Sequence, residues 1–219
     1  MPISSARTVR RKRAVESFRH AADCLAPIEH DMSVFAITRG QFSMIDAVLA
    51  VLDKAGPSHV SIWTWRIADY EIKVIERLLG DGRLLSARLV IDLSAGWDPD
   101  SWSGKIVTRW VEMFGEASVR TVINHAKIAT VYNDEWKFCL RGSMNLNHNP
   151  RFEQLDVDEG SGADGGRPTA FDVVHQLEDE LPDIGALPSK PQAVAASKIK
   201  DAWNPGQLNM FDGGKTWAK

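Results

Sequence analysis

Cysteine is scarce in this chain. Of 219 residues only Cys24 and Cys139 carry thiols, far apart and in no Cys-x-x-Cys or Cys/His spacing. A disulfide scaffold, a zinc ribbon and a redox pair are therefore not expected, and both residues read as ordinary buried or free thiols. Long apolar runs are also missing: no stretch of 18 or more apolar residues exists to span a bilayer. The basic N-terminus MPISSARTVRRKRAVESF has no apolar segment after it, unlike a secretory signal. The expectation is a soluble, cytoplasmic protein with no membrane partner. Excess positive charge is lacking too, since 26 Lys and Arg stand against 29 Asp and Glu for a net charge of −3. No global basic field attracts polyanions, so an anionic partner has to be met by a local patch. No internal repeat is visible.

What is present is a globular composition, 44% hydrophobic and 25% charged. That length suits one well-buried domain with flanking segments. Residues 5 to 25 mix Arg7, Arg10, Arg11, Lys12, Arg13 and Arg19 with Val15, Phe18, Ala22 and Leu25 at spacings of three and four. This pattern predicts an amphipathic, basic N-terminal helix within residues 1–30, either packed on the domain or reaching for phosphate backbones. From 31 to 186 the pattern alternates. SVFAIT reads as a strand, FSMIDAVLAVLDKAG as a helix stopped at Gly56-Pro57, HVSIWTW as a strand, and DYEIKVIERLLGDG as a helix. LLSARLVIDLS adds a strand, and PDSWSGKIVTRWVEMFG adds a helix whose Trp102, Val107, Trp110, Val111 and Phe114 form a core stripe. SVRTVI, KIATVY, KFCLRG and FEQLDV follow as short strands, with Asn133-Asp134-Glu135 as a turn. After the Gly, Ser and Asp-rich stretch DEGSGADGGRP, TAFDVVHQLEDELPD reads as one more helix. The predicted class is α/β, a mixed sheet flanked by helices. Residues 187–219 are aperiodic and rich in Pro, Ala, Lys and Ser, which predicts an extended or disordered tail.

His125 and Lys127 are separated by one residue at the start of an apolar strand, which would put both side chains on one face. A histidine beside an ammonium suits an anion better than a core, and the lysine can neutralise a phosphate oxygen. Gly142-Ser143 ends the next strand, where a residue without a Cβ lets a ligand approach the backbone. Ser143 and Asn145 add a hydroxyl and an amide for further oxygens. Arg141, Gly142, Arg151 and, with Asn147, His148 lie around this stretch and are candidate substrate contacts. Taken singly, each has an ordinary reading: a surface histidine, a solvated strand lysine, a turn. Their combination points to phosphate chemistry.

The stretches HAK and GSMN, followed by the acidic residue of RFEQ, resemble the His-x-Lys and Gly-Ser-x-Asn signature of the phospholipase D superfamily. The strand and helix order of residues 33–157 is also similar to one half of that family's fold. The resemblance implies a phospholipase D-like sheet and a two-step phosphodiester transfer that needs neither metal nor other cofactor. His125 would attack phosphorus, Lys127 and Asn145, helped by Ser143, would stabilise oxygen charge, and Glu153 would orient His125 through its ring N–H. Because the chain has one signature, a second histidine has to come from another copy, which implies a homodimer. One position departs from the family: Tyr132 stands where the signature has an aspartate, and Asp134, two residues on, is a candidate substitute if the strand bulges.

Short single-signature members of the family resemble nucleases, so DNA or RNA is the expected substrate and partner, with Arg39, Arg66, Arg141, Arg151 and the N-terminal arginines as a local groove. The alternatives are a noncatalytic nucleic-acid-binding or assembly module of the same fold, and a phospholipid phosphodiesterase. In the tail, Gln207, Leu208, Met210 and Phe211 of QLNMF resemble the short motif by which bacterial proteins dock on the replicative sliding clamp, which makes the clamp a candidate partner.

Overall fold

A computed structural model describes residues 12–92, 100–146, 150–161 and 168–181. Eight strands form one sheet: β1 (Lys12–Ser17), β2 (Met32–Arg39), β3 (Ser58–Thr64), β4 (Leu84–Asp92), β5 (Val119–Val122), β6 (Ile128–Tyr132), β7 (Lys137–Gly142) and β8 (Phe152–Glu159). Their order is β1-β2-β8-β7-β6-β3-β4-β5. The outer pairs β1–β2, β3–β4 and β4–β5 are parallel, and the four pairs between β2 and β3 are antiparallel. The helices are α1 (Ala21–Leu25), α2 (Met44–Ala55), α3 (Asp69–Gly80), α4 (Trp102–Phe114) and α5 (Ala170–Glu180). The predicted α/β class with a mixed sheet and flanking helices holds.

Local chemistry accounts for these elements. Ser43 and Asp46 form a capping box at the start of α2, with Ser43 N donating to Asp46 Oδ2 at 2.7 Å. Gly56, at φ +77°, ends that helix in a conformation that a side chain disfavours. Apolar stripes of α2, α3 and α4, including Ile45, Val48, Ile75 and Trp110, share one core with Val34, Ala36, Ala129, Leu140 and Val157 of the sheet. α5 covers the opposite face, where Phe171 and Val174 pack on Cys139, Ile128 and Tyr132. Its buried Glu178 accepts hydrogen bonds from Ser61 Oγ and Trp63 Nε1 and so docks the helix on β3.

Three sequence expectations change. The basic helix expected within residues 5–25 is a strand over Lys12–Ser17, and helix begins only at Ala21; residues 1–11 lie outside the described residues. Ala14 and Val15 are adjacent in this strand and Val15 is exposed, so no alternation marked it, and parallel pairing with β2 selected the strand. Trp102 of the expected core stripe is exposed, being the first residue of α4, whereas Trp110 is fully buried. Asp134 lies in the exposed β6–β7 turn rather than on a continued strand. Asn133 makes that turn by accepting from Glu135 N and Trp136 N, so no bulge carries Asp134 to the place of Tyr132. The expected tail and the QLNMF motif lie outside the described residues. Among the described residues, no helix is long and apolar enough to cross a membrane.

Candidate active site

β1, β2, β3, β4, β5 and β7 end at one edge of the sheet, and β6 and β8 begin there. Every signature residue that the structure describes lies along this edge, the usual place for ligands in open α/β sheets.

His125 and Lys127 meet, though not by the route expected. They precede β6 rather than opening it, in an irregular segment shaped by Asn124. Asn124 is buried, its Oδ1 accepts from Ala126 N at 2.8 Å, and its Nδ2 donates to Thr64 O at 3.2 Å. Its backbone N–H donates to Asp92 Oδ2 at 2.8 Å, which ties the segment to the end of β4. The turn brings Lys127 Nζ to 3.0 Å from His125 Nδ1 and to 2.5 Å from His125 O. The ring of His125 is exposed and lies 5.7 Å from that of Trp65. Lys127 is 8% exposed, and burial lowers its pKa from the usual 10.5, an effect partly offset by the Glu153 and Asp92 carboxylates. Asn124, Thr64 and Asp92 were not singled out from the sequence. An asparagine directly before the His-x-Lys pair, at a strand end, was the available signal for the Asx turn.

Ser143 and Glu153 join the cluster. Ser143 Oγ donates to Glu153 Oε2 and accepts from Gln154 N at 3.1 Å. Glu153 thus holds Ser143 rather than the ring N–H of His125, whose Nδ1 faces the lysine; the expected orienting bond is replaced by these two contacts. Asn145 sits between β7 and the backbone bond Ala68 N→Leu146 O, which lays residues 143–146 beside the segment after β3. Its Oδ1 is buried and has no hydrogen-bond partner among the described residues.

Two expected substrate contacts have other jobs. A Cβ on Gly142 would lie 2.4 Å from Gln154 O, so the room left by the missing side chain is filled by β8 rather than by a ligand. Gly142→Ala is expected to lower the free energy of unfolding by about 1–3 kcal/mol, measured by urea denaturation, because neighbouring strands have to separate. Arg141 is ion-paired with Asp158, two positions along β8 from its register partner Asp156 on the side away from the edge, and its charge is already met. Arg151 is exposed at the edge, while Asn147 and His148 lie outside the described residues.

Tyr132 lies at the other end of β6. Five residues of strand separate it from Lys127 by roughly 16 Å. It packs against the rings of His59, Phe171 and His175, and burial raises its pKa. The departure from the signature therefore falls on the packing of α5. Among the described residues, no group of three or more His, Cys, Asp and Glu side chains is placed to hold a metal ion.

No protein-family model matches the chain, and no curated protein matches it. Solved structures that resemble it include the following two. Polyphosphate kinase from Porphyromonas gingivalis is 15% identical over 85% of this chain and 34% of its own, with a TM-score of 0.49. Phosphatidylserine synthase from Haemophilus influenzae Rd KW20 is 14% identical over 82% of this chain and 47% of its own, with a TM-score of 0.44. The chain spans less than half the length of either.

Proposed function

We propose that the protein is a metal-independent phosphodiesterase of the phospholipase D type, an endonuclease acting on DNA or RNA from a homodimeric site. The observation that carries this reading is the contact of His125 with the buried Lys127, beside Ser143, Glu153 and Asn145 at one edge of the sheet.

In the ground state Lys127 spends its hydrogen bonds on His125 itself. An incoming phosphate oxygen is a better acceptor for an ammonium than either, so substrate draws Nζ away and frees the ring. A ring nitrogen of His125 then forms a bond to phosphorus as the bond to the leaving oxygen breaks, and that oxygen takes a proton from the histidine of the second copy. Water, losing a proton to the same second histidine, breaks the phosphorus–nitrogen bond and returns His125 with a phosphomonoester product. Lys127 and Asn145, whose buried Oδ1 is unpartnered and whose amide can turn an N–H outward, stabilise the oxygens of both transition states.

The departure at Tyr132 would favour a noncatalytic module, and that residue lies at the far end of β6 from the cluster. The test is incubation of the purified protein and its His125→Ala variant with single- and double-stranded DNA and RNA in excess EDTA. Cleavage by the parent alone is expected. No cleavage of any polymer defeats the nuclease reading and leaves a binding module or a phospholipid substrate. Sedimentation equilibrium is expected to give twice the 24.3 kDa chain mass; a monomer that cleaves defeats the shared site.

A further inference from the structure

The same edge of the sheet carries aromatic rings that the core does not use. Phe18 and Phe152 are 54% and 65% exposed, and their rings meet edge to face with centroids 6.0 Å apart. Arg39, the register partner of Phe152, lies over that ring at 5.4 Å. Across the edge, Arg66 lies over Trp65 at 4.5 Å, and Trp65 is the ring beside His125.

Two features set this cluster apart from ordinary surface. Arg13, Arg83, Arg88, Arg109 and Arg141 are each held by a carboxylate. The side chains of Arg39, Arg66 and Arg151 make no ion pair among the described residues, so the guanidinium charge at this edge stays available to an anion. In addition, Phe18 holds a left-handed backbone, φ +57°, which is costly for a bulky residue. Its ring is more than half exposed, so burial does not repay that cost. The strained backbone turns an aromatic ring outward beside a second one.

We propose that Phe18 and Phe152, flanked by Arg39 and Arg151, form a base-stacking platform for single-stranded nucleic acid, with Trp65 and Arg66 as a second step next to His125. This rests on the nucleic-acid reading above and adds a strand preference to it. Unpaired bases stack on aromatic faces, and free guanidinium groups follow the phosphates between them. Duplex bases are already stacked on each other and offer these rings nothing. Glu153 follows Phe152 directly in β8, so a strand lying over the platform reaches the reactive cluster by crossing the edge of the sheet.

The test is fluorescence anisotropy of the full-length His125→Ala protein with three labelled probes: a single-stranded oligonucleotide, the same sequence as a duplex, and an abasic oligonucleotide of equal length. In that background, Phe18→Ala with Phe152→Ala is expected to weaken binding of the base-containing strand about tenfold or more and to leave the abasic strand unchanged. Arg39→Ala is expected to weaken both, and Phe152→Tyr to keep affinity near that of the parent. Thermal unfolding of each variant checks that the fold is intact. The proposal is overturned if the double variant binds the base-containing strand as the parent does, or if the duplex binds as tightly as the single strand. It is also overturned if the double variant dissociates a dimer, because the rings then belong to a contact between copies. Cleavage without base-dependent binding removes the platform alone, and base-dependent binding without cleavage removes the nuclease reading alone.

Discussion

Replacing His125 by alanine is expected to lower phosphodiester cleavage by about 10⁴-fold or more while leaving the chain folded. The size follows from the role: a nucleophile that forms a covalent intermediate has no neighbour to replace it. Among the described residues, no second histidine is bonded to Lys127, Ser143 or Glu153: His30 stacks on Trp136, His59 and His175 surround Tyr132, and His20, past the end of β1, meets Gln41 O. The fold survives because the ring is exposed and the turn that carries it is held by Asn124, Thr64 and Asp92. Single-turnover assays on parent and variant measure the rate. Parent protein quenched in detergent at alkaline pH, where a phosphorus–nitrogen bond survives, should carry labelled phosphate that is lost in the variant. Activity within tenfold of the parent would take the nucleophile's role from His125.

Lys127→Met is expected to lower kcat by about 10²–10³-fold and to raise stability at neutral pH. The two effects have one cause. The ammonium is buried, which costs desolvation, and the same burial strengthens its pull on a phosphate oxygen. Methionine keeps the stem and removes the charge. The pH dependence gives an independent check. Burial lowers the folded-state pKa of Lys127 below the unfolded 10.5, so below the folded value the lysine is charged in both states and the cost is fully present. Between the two values the unfolded chain binds a proton that the folded chain has lost, so this group's contribution to stability rises with pH through that window. Denaturant midpoints of the parent should show the rise, and those of the methionine variant should lack it. Cleavage should fall on the alkaline side with a midpoint below 10.5, as the ammonium that faces phosphate disappears. A variant that keeps the parent's kcat would contradict the assignment.

The strand and helix alternation from residue 33 onward was legible because each element buries one face, and burial of one face writes a period into the residues. β2, α2, β3, α3 and β4 all appear where apolar spacing put them. β1 was not legible. Its apolar residues, Ala14 and Val15, are adjacent and show no alternation, and the choice was made by hydrogen bonds to β2, twenty residues away. The signature was legible as residue types at a spacing, and its internal wiring was not. Glu153 meets Ser143 instead of His125, Arg141 is neutralised by Asp158, and Gly142 makes room for a neighbouring carbonyl.

Sequence alone determined the class of fold, the positions of the apolar strands and helices, and the presence of a histidine, a lysine, a serine and an asparagine in one short stretch. Tertiary structure decided which of them touch, how deeply Lys127 is buried, which arginines are ion-paired among the described residues, and that Tyr132 stands at the opposite end of its strand from the cluster. The reason is physical. Periodicity reports the side of a single element that avoids water, whereas contacts between side chains depend on strand order and register, which join residues far apart in the chain.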